Sequence, residues 1–394
     1  MMPRASAFRL LGGLLLAPCL YGPAPPADAR PSAVRAASAG STPGTLLDTQ
    51  LLPNAPDGAA AYRVLYRSTG LRGEPIAVSG AIIVPAGPVP PGGRPIVAWA
   101  HPTTGVVDKC APSLARALYR SIQGLQEMLA RGYIVAATDY PGLGTPGVHP
   151  YLVGISEGRA VLDSVRAARQ FAEPGGSTSA FAVWGHSQGG HAALFTGILA
   201  HSYAPDLTRV GVAAAAPATE LATLMMADLD TSGGKNLTAM TLWSWSQVYG
   251  APMTKVVVPA ALPIINELAN DCIETIFDVL ERRGPSKALD RSFLAVNDLA
   301  SREPWRSLLA RNTPGTLPLR IPVFLAQGSA DTLVLPRVTE DYRGRLCRAG
   351  SRVEFDLVPG VGHLSIAKDA APAALDWIGD RFEGEPAPSN CGAH

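Results

Sequence analysis

Residues Ala180–Leu194 read AFAVWGHSQGGHAAL. An apolar, strand-like run (Ala180–Trp184) enters Gly185-His186-Ser187-Gln188-Gly189 and leaves into an alanine-rich helical pattern. That is G-x-S-x-G in a strand–turn–helix context, the arrangement that lifts a serine hydroxyl above a sheet. Glycines flank the serine because a side chain there would collide with the neighbouring strand or helix as the chain reverses. Ser187 would then stand at a helix N-terminus, where the N–H of Gln188 can face a developing oxyanion with help from the helix dipole.

A serine hydroxyl needs a base, and the base an orienting acid. In such an elbow the partners follow in the order Ser, acid, His. The sequence has seven histidines, and four follow the serine: His191, His201, His363 and His394. His191 and His201 lie on the helix that leaves the serine, and His394 is the last residue. His363, in the loop Val358-Pro-Gly-Val-Gly-His363 after the last strand-like run, is the expected base. Asp331, in Gly328-Ser-Ala-Asp331 directly after the run Ile321–Gln327, is the expected acid. Asp139 ends another strand but precedes the serine and breaks the order. A second oxyanion donor should come from His101-Pro-Thr-Thr-Gly105; Pro102 has no N–H, which leaves Thr103 as first choice and Thr104 as second. His101, and His186 with His191, read as scaffolding.

Further out, strand-like runs fall at Ala61–Arg67, Pro75–Val84, Pro95–Ala100, Tyr133–Asp139, Val210–Ala216, Ile321–Gln327 and Val353–Val358. Helical stretches intervene at Ser113–Ala130, Ile155–Phe171, Gly189–His201, Pro336–Arg345 and Asp369–Phe382. Short apolar runs alternating with helices predict an α/β protein, a mostly parallel, doubly wound sheet covered on both faces. Its chemistry belongs beyond the carboxyl ends of the strands. Residues 46–217 and 317–394 form this expected core. Residues 218–316 lack clear strands; Ile264, Ile265, Leu268, Ile273, Ile276, Phe277 and Leu280 recur there at helical spacing. This region reads as a helical subdomain with its own core, and as a cap over the site. Its Met225, Met226, Trp243, Trp245, Tyr249 and Met253 predict a preference for long or bulky acyl groups. Gly142-Leu-Gly-Thr-Pro-Gly147 matches G-x-G-x-x-G, but Pro141 and Pro146 prevent a helix from opening inside it, so it reads as a turn and not as a nicotinamide site.

The chain has 394 residues, 47% hydrophobic and 16% charged, which excludes a disordered chain. With 33 basic against 32 acidic residues there is no electrostatic case for a nucleic-acid partner. The N-terminus carries Arg4 and Arg9, the apolar Leu10–Leu16 and the small-x-small site Ala27-Asp28-Ala29, so residues 1–29 read as a cleaved export signal. An uncleaved anchor, or a lipoprotein at Cys19, is the alternative. The apolar run is far below the ~20 residues of a membrane span. Residues 30–45 read as a disordered leader, and the mature protein as secreted and monomeric. Cleavage would remove one of five cysteines and leave Cys110, Cys272, Cys347 and Cys391, an even number with three possible pairings. No CxxC or HExxH occurs, so no metal site is indicated, and the triad chemistry requires no cofactor.

GHSQGG at 185–190, TDYPGLGT at 138–145, DKCAPS at 108–113, GSADTLVLP at 328–336 and GVGH at 360–363 together make the chain resemble the secretory lipase family of α/β-hydrolases over about residues 45–392. The resemblance implies Ser187, Asp331 and His363 as the triad, a helical cap near 218–316, and disulfides Cys110–Cys272 and Cys347–Cys391. It further implies a lipid or other ester as substrate, with transient contact at a lipid interface. A serine peptidase or an acyltransferase would use the same triad, and a non-catalytic binding protein could keep the scaffold.

Overall fold

The computed structural model describes residues 42–171, 177–227, 229, 231–273, 287–290, 293–318 and 321–392. The expected export signal, residues 30–41 of the expected leader, His394, and Ile276, Phe277 and Leu280 of the helical periodicity lie outside the described residues.

The nine-stranded sheet has the order β1-β2-β3-β5-β4-β6-β7-β8-β9. β1 (Leu46–Leu51), β2 (Ala59–Thr69) and β3 (Pro75–Pro85) form an antiparallel meander, and β3 lies antiparallel to β5 (Ile134–Thr138). From β5 onward all is parallel: β4 (Arg94–Ala100), β6 (Ser177–His186), β7 (Thr208–Ala215), β8 (Val323–Gly328) and β9 (Val353–Val358). The central strands are apolar at every position because each face meets helices. Val97 and Trp99 of β4 join Trp184 and Phe324 on one side, whereas Ile96 and Ala98 join Phe181 and Val183 on the other. The side chains alternate with the period of two that a strand imposes.

The expected helix at Ser113–Ala130 is broken. A short α1 (Leu118–Ser121) and α2 (Leu125–Ala130) are separated at Gly124, which takes the left-handed conformation (φ 80°). The carbonyl of Gln123, freed at the break, accepts from Trp184 Nε1 at 3.2 Å. α3 (Gly154–Arg169), α4 (Gln188–Tyr203), α9 (Pro336–Arg348) and α10 (Ile366–Glu383) fall where the periodicity put them. α3, α4 and α9 cover one face; α2 and α10 cover the other. β1 has no counterpart in the sequence reading: as an edge strand it is mostly exposed and lacks the apolar alternation. The leader also ends earlier than expected, because Gly44 donates to the Arg67 carbonyl (2.7 Å) and its own carbonyl accepts from Gln170 Nε2 (2.6 Å).

Between β7 and β8 come α5 (Leu221–Ala227), α6 (Ser232–Val248), α7 (Leu262–Asn270) and α8 (Trp305–Asn312). α6 starts where Thr231 caps the N–H of Gly234. This segment has no separate core, contrary to expectation. Met225, Trp245, Ile265, Leu268 and Trp305 belong to the same buried cluster as Trp99 and Trp184 of the sheet. Trp245 and Trp305 stack at 6.4 Å, both fully buried, and such side chains contribute about 1.5–3 kcal/mol each by burial.

Candidate active site

β6 runs into Ser187, which takes φ 57°, ψ −116°, and α4 begins at the next residue. The turn is that tight because the backbones touch. A Cβ on Gly189 would lie 1.9 Å from the Ala100 carbonyl oxygen, and one on Gly185 would lie 2.1 Å from that of Gly189. The strained serine is held by its own N–H, which donates to the Ala215 carbonyl at 2.9 Å.

Two loops at the carboxyl ends of β8 and β9 meet this turn. His363 Nε2 lies 2.9 Å from Ser187 Oγ, and His363 Nδ1 lies 2.8 Å from Asp331 Oδ2. The other Asp331 oxygen accepts the N–H groups of Leu333 (2.8 Å) and Val334 (2.9 Å), and Gln327 Nε2 adds a donor to Oδ2 at 3.2 Å. Burial alone would raise this carboxyl. The hydrogen bond and charge of His363 and the two backbone donors outweigh it and hold Asp331 below the usual carboxylate value. With Asp331 ionised, the imidazole keeps its hydrogen on Nδ1 and turns the Nε2 lone pair to the serine hydroxyl. The structure thus brings together three side chains that are far apart in sequence.

Asp139 is not drawn in. Its oxygens accept from Ser113 N–H (2.8 Å), Ser113 Oγ (2.5 Å) and Ser79 Oγ (2.7 Å), so it fastens a loop. His101 is buried, with ring nitrogens facing the carbonyls of Pro102 (2.6 Å) and Asp139 (3.2 Å), and burial lowers its pKa. Thr103 directs its hydroxyl to Tyr151 (2.9 Å), and the Thr104 carbonyl accepts from the N–H of Ile273 (2.8 Å). The 142–147 stretch is a turn, and the next helix opens only at Gly154.

Two disulfides are present, Cys110–Cys272 and Cys347–Cys391, with Cα separations of 5.2 and 5.5 Å. The first, with the Ile273–Thr104 bond, ties the helical segment to the loop after β4. Among the described residues, no group of three or more His, Cys, Asp or Glu could hold a metal ion.

Sequence reasoning missed the polar layer beneath the turn. Glu157 is fully buried; its Oε1 accepts from Leu152 N–H (3.0 Å) and Gln188 Nε2 (2.8 Å), and its Oε2 faces His191 Nδ1 at 2.8 Å. His191 Nε2 donates to the Asn312 carbonyl at the end of α8 (2.7 Å). His149 Nε2 accepts from Gln188 Nε2 at 2.8 Å, and burial, more than any charge, pushes its pKa down to about 4. His186 Nε2 donates to the carbonyl of His363 at 3.0 Å; burial first, then the nearby His363, pushes it down to about 3. An acidic residue on the covered face of α3 was the one available signal, and the helical pattern alone does not mark it.

An apolar pocket opens beside Ser187 and Gln188, walled by Leu221, Leu224, Met225 and Leu237. Of the aromatic and methionine residues singled out in the sequence, only Met225 reaches it; Trp245 donates to the Tyr151 carbonyl (2.8 Å) and Trp243 to Asn266 (3.3 Å).

A family model described as secretory lipase matches residues 120–390. A protein of Mycobacterium tuberculosis (strain CDC 1551 / Oshkosh), named a probable inactive lipase, is 26% identical over 374 residues, covering 88% of this chain and 80% of its own. Lipase 10 of Candida albicans is 25% identical over 374 residues, with 89% and 79% covered. The structure of Candida antarctica lipase A superposes with a TM-score of 0.74 at 20% identity, covering 90% of this chain and 85% of that one. The sheet order, the elbow and this superposition define an α/β-hydrolase fold. With the family model spanning more than half of its length, the chain belongs to the secretory lipase family.

Proposed function

We propose that this protein is an exported serine hydrolase of lipid esters, acylglycerols among them, working through an acyl-enzyme on Ser187. The observation that carries this is the continuous path Ser187 Oγ–His363 Nε2 (2.9 Å) and His363 Nδ1–Asp331 Oδ2 (2.8 Å). A relative named a probable inactive lipase shows that membership of the family does not guarantee turnover, so the path matters more than the kinship.

In the first half-reaction, Ser187 Oγ attacks the ester carbonyl and His363 takes the hydroxyl proton. Asp331 fixes the tautomer and stabilises the imidazolium. The carbonyl oxygen becomes an oxyanion, held by the N–H of Gln188 at the start of α4 and by the N–H of Thr103. His363 then protonates the leaving alcohol, and water, deprotonated by the same imidazole, releases the acid. Residues 218–316 act as a cap, anchored at its base by Cys110–Cys272. Export is supported by the two disulfides, which persist in oxidising compartments. Among the described residues no helix is long and apolar enough to cross a membrane.

Fluorophosphonate labelling tests this reading: one adduct is expected, on the peptide bearing Ser187. No adduct, or an adduct elsewhere, would remove the assignment. Paired assays on esters and on aminoacyl amides separate it from a peptidase.

A further inference from the structure

The pocket beside Ser187 carries information about the acyl group, an inference that rests on the hydrolase reading above. The space that water centres can reach in it is about 30 Å³. One water needs roughly 10–15 Å³ on that measure, so the pocket seats about two to three heavy atoms beyond the carbonyl. Its end is closed by Leu224, Met225 and Leu237. Leu224 and Met225 are buried and belong to the core cluster shared with the sheet, so lengthening the pocket means repacking that core.

The wall also holds unanswered polar atoms. Thr238 and Thr241 both lie on α6 and both line the pocket. Thr241 spends its hydroxyl on the Leu237 carbonyl, one turn back, at 3.0 Å. Thr238 does not: it is 1% exposed and its Oγ1 has no hydrogen-bond partner. Gln188 shows the same pattern. Its Nε2 is committed to His149 and Glu157, which fixes the amide orientation, and its Oε1 is buried without a partner. A buried polar atom without a partner is costly unless a ligand or water supplies one. A hydroxyl, which donates and accepts, answers both an amide oxygen and a threonine hydroxyl. No charged side chain lines the pocket, so a charged substituent finds no counter-ion there.

We propose that the preferred acyl group is short, of about four carbons, and carries a hydroxyl that pairs with Thr238. The class is the short-chain hydroxyacyl ester. Hydrolysis itself is unchanged: the acyl–oxygen bond breaks, and Ser187 and then water supply the oxygen.

The test compares kcat/KM on the p-nitrophenyl esters of butyrate, 3-hydroxybutyrate and laurate, for the wild type and Thr238→Val. For the wild type, 3-hydroxybutyrate should exceed butyrate by about tenfold, the usual worth of one hydrogen bond, and laurate should be poorest. Thr238→Val, nearly isosteric, should bring the hydroxybutyrate-to-butyrate ratio close to one. Leu224→Ala should raise laurate relative to butyrate. A wild-type ratio near one, a ratio unchanged in Thr238→Val, or laurate as the best substrate each overturns the proposal while leaving ester hydrolysis standing. Failure of all three esters together with absence of the Ser187 adduct would instead strike the hydrolase reading.

Discussion

Ser187 occupies a backbone conformation that costs a non-glycine residue on the order of 1–3 kcal/mol, and it persists because its surroundings leave no alternative. The hydrogen bond to Ala215 and the contact of Gly189 with Ala100 impose it. Gly189→Ala should therefore abolish soluble expression or lower the unfolding midpoint steeply, read by thermal melts, because the added carbon meets backbone and not a side chain that can swing away. Asp331→Asn tests the orienting role. It keeps size and polarity but loses the charge that holds the hydrogen on Nδ1, so kcat should fall by about 10⁴-fold with the fold intact by circular dichroism. An undiminished kcat would assign Asp331 to the turn alone. Ser187, Asp331 and His363 were legible in the sequence because the elbow pattern and chain order constrain them. Glu157 was not: a buried acid becomes visible only when Leu152, Gln188 and His191 arrive from three different segments to meet it.

At the scale of elements, α3 and α4 are joined by that acid as well as by packing. Glu157→Leu would strand the Leu152 N–H, the Gln188 amide and the His191 ring at once. Breaking a buried pair from one side costs about 3–5 kcal/mol, which urea unfolding should report as a large drop in midpoint. A shift under 1 kcal/mol would mean that His191 finds other partners. The Cys110–Cys272 bridge spans 162 residues of chain, and closing so long a loop contributes at most ~5 kcal/mol in the chain-entropy model. Replacing both cysteines with alanine should lower the chemical denaturation midpoint and leave Ser187 reactive toward the phosphonate. Loss of labelling with the fold retained would place the bridge in the site's own geometry. The parallel strands were readable because each is an apolar run buried on both faces. β1 was not, since an edge strand has no covered face to write an alternation, and the α1–α2 break turned on one left-handed glycine.

For the whole molecule, acid sensitivity follows from where the ionisable groups are buried. His149 and His186 stay neutral in the fold to about pH 4 and 3. The unfolded chain takes up their protons near pH 6.5, so the unfolded state binds more protons and stability falls as pH drops below that value. Each costs on the order of 1 kcal/mol by pH 5.5. Asp163 runs the other way. Burial, partly offset by Ser68, Tyr203 and Arg166, raises it to about 6. Its folded form therefore gains protons between pH 6 and 4 and returns part of the loss. The net expectation is a decrease of about 1–2 kcal/mol from pH 7 to 5.5, measured as a falling melting temperature. A melting temperature that is flat or rising over that range would show that these histidines are solvated. The architecture was legible at this scale because alternation of strands and helices suffices to define it. The merging of the helical segment's core with that of the sheet was not, because sequence periodicity shows that a face is covered but not by what.

The claim on which the rest depends is that Ser187 is the nucleophile and His363 its base. It is tested most directly by steady-state hydrolysis of a short-chain ester by the wild type, Ser187→Ala and His363→Ala, with fold checked by circular dichroism. A loss on the order of 10⁴-fold or more in kcat for either variant is predicted, with the two losses not adding in the double variant. Turnover by Ser187→Ala at the wild-type rate would contradict the account.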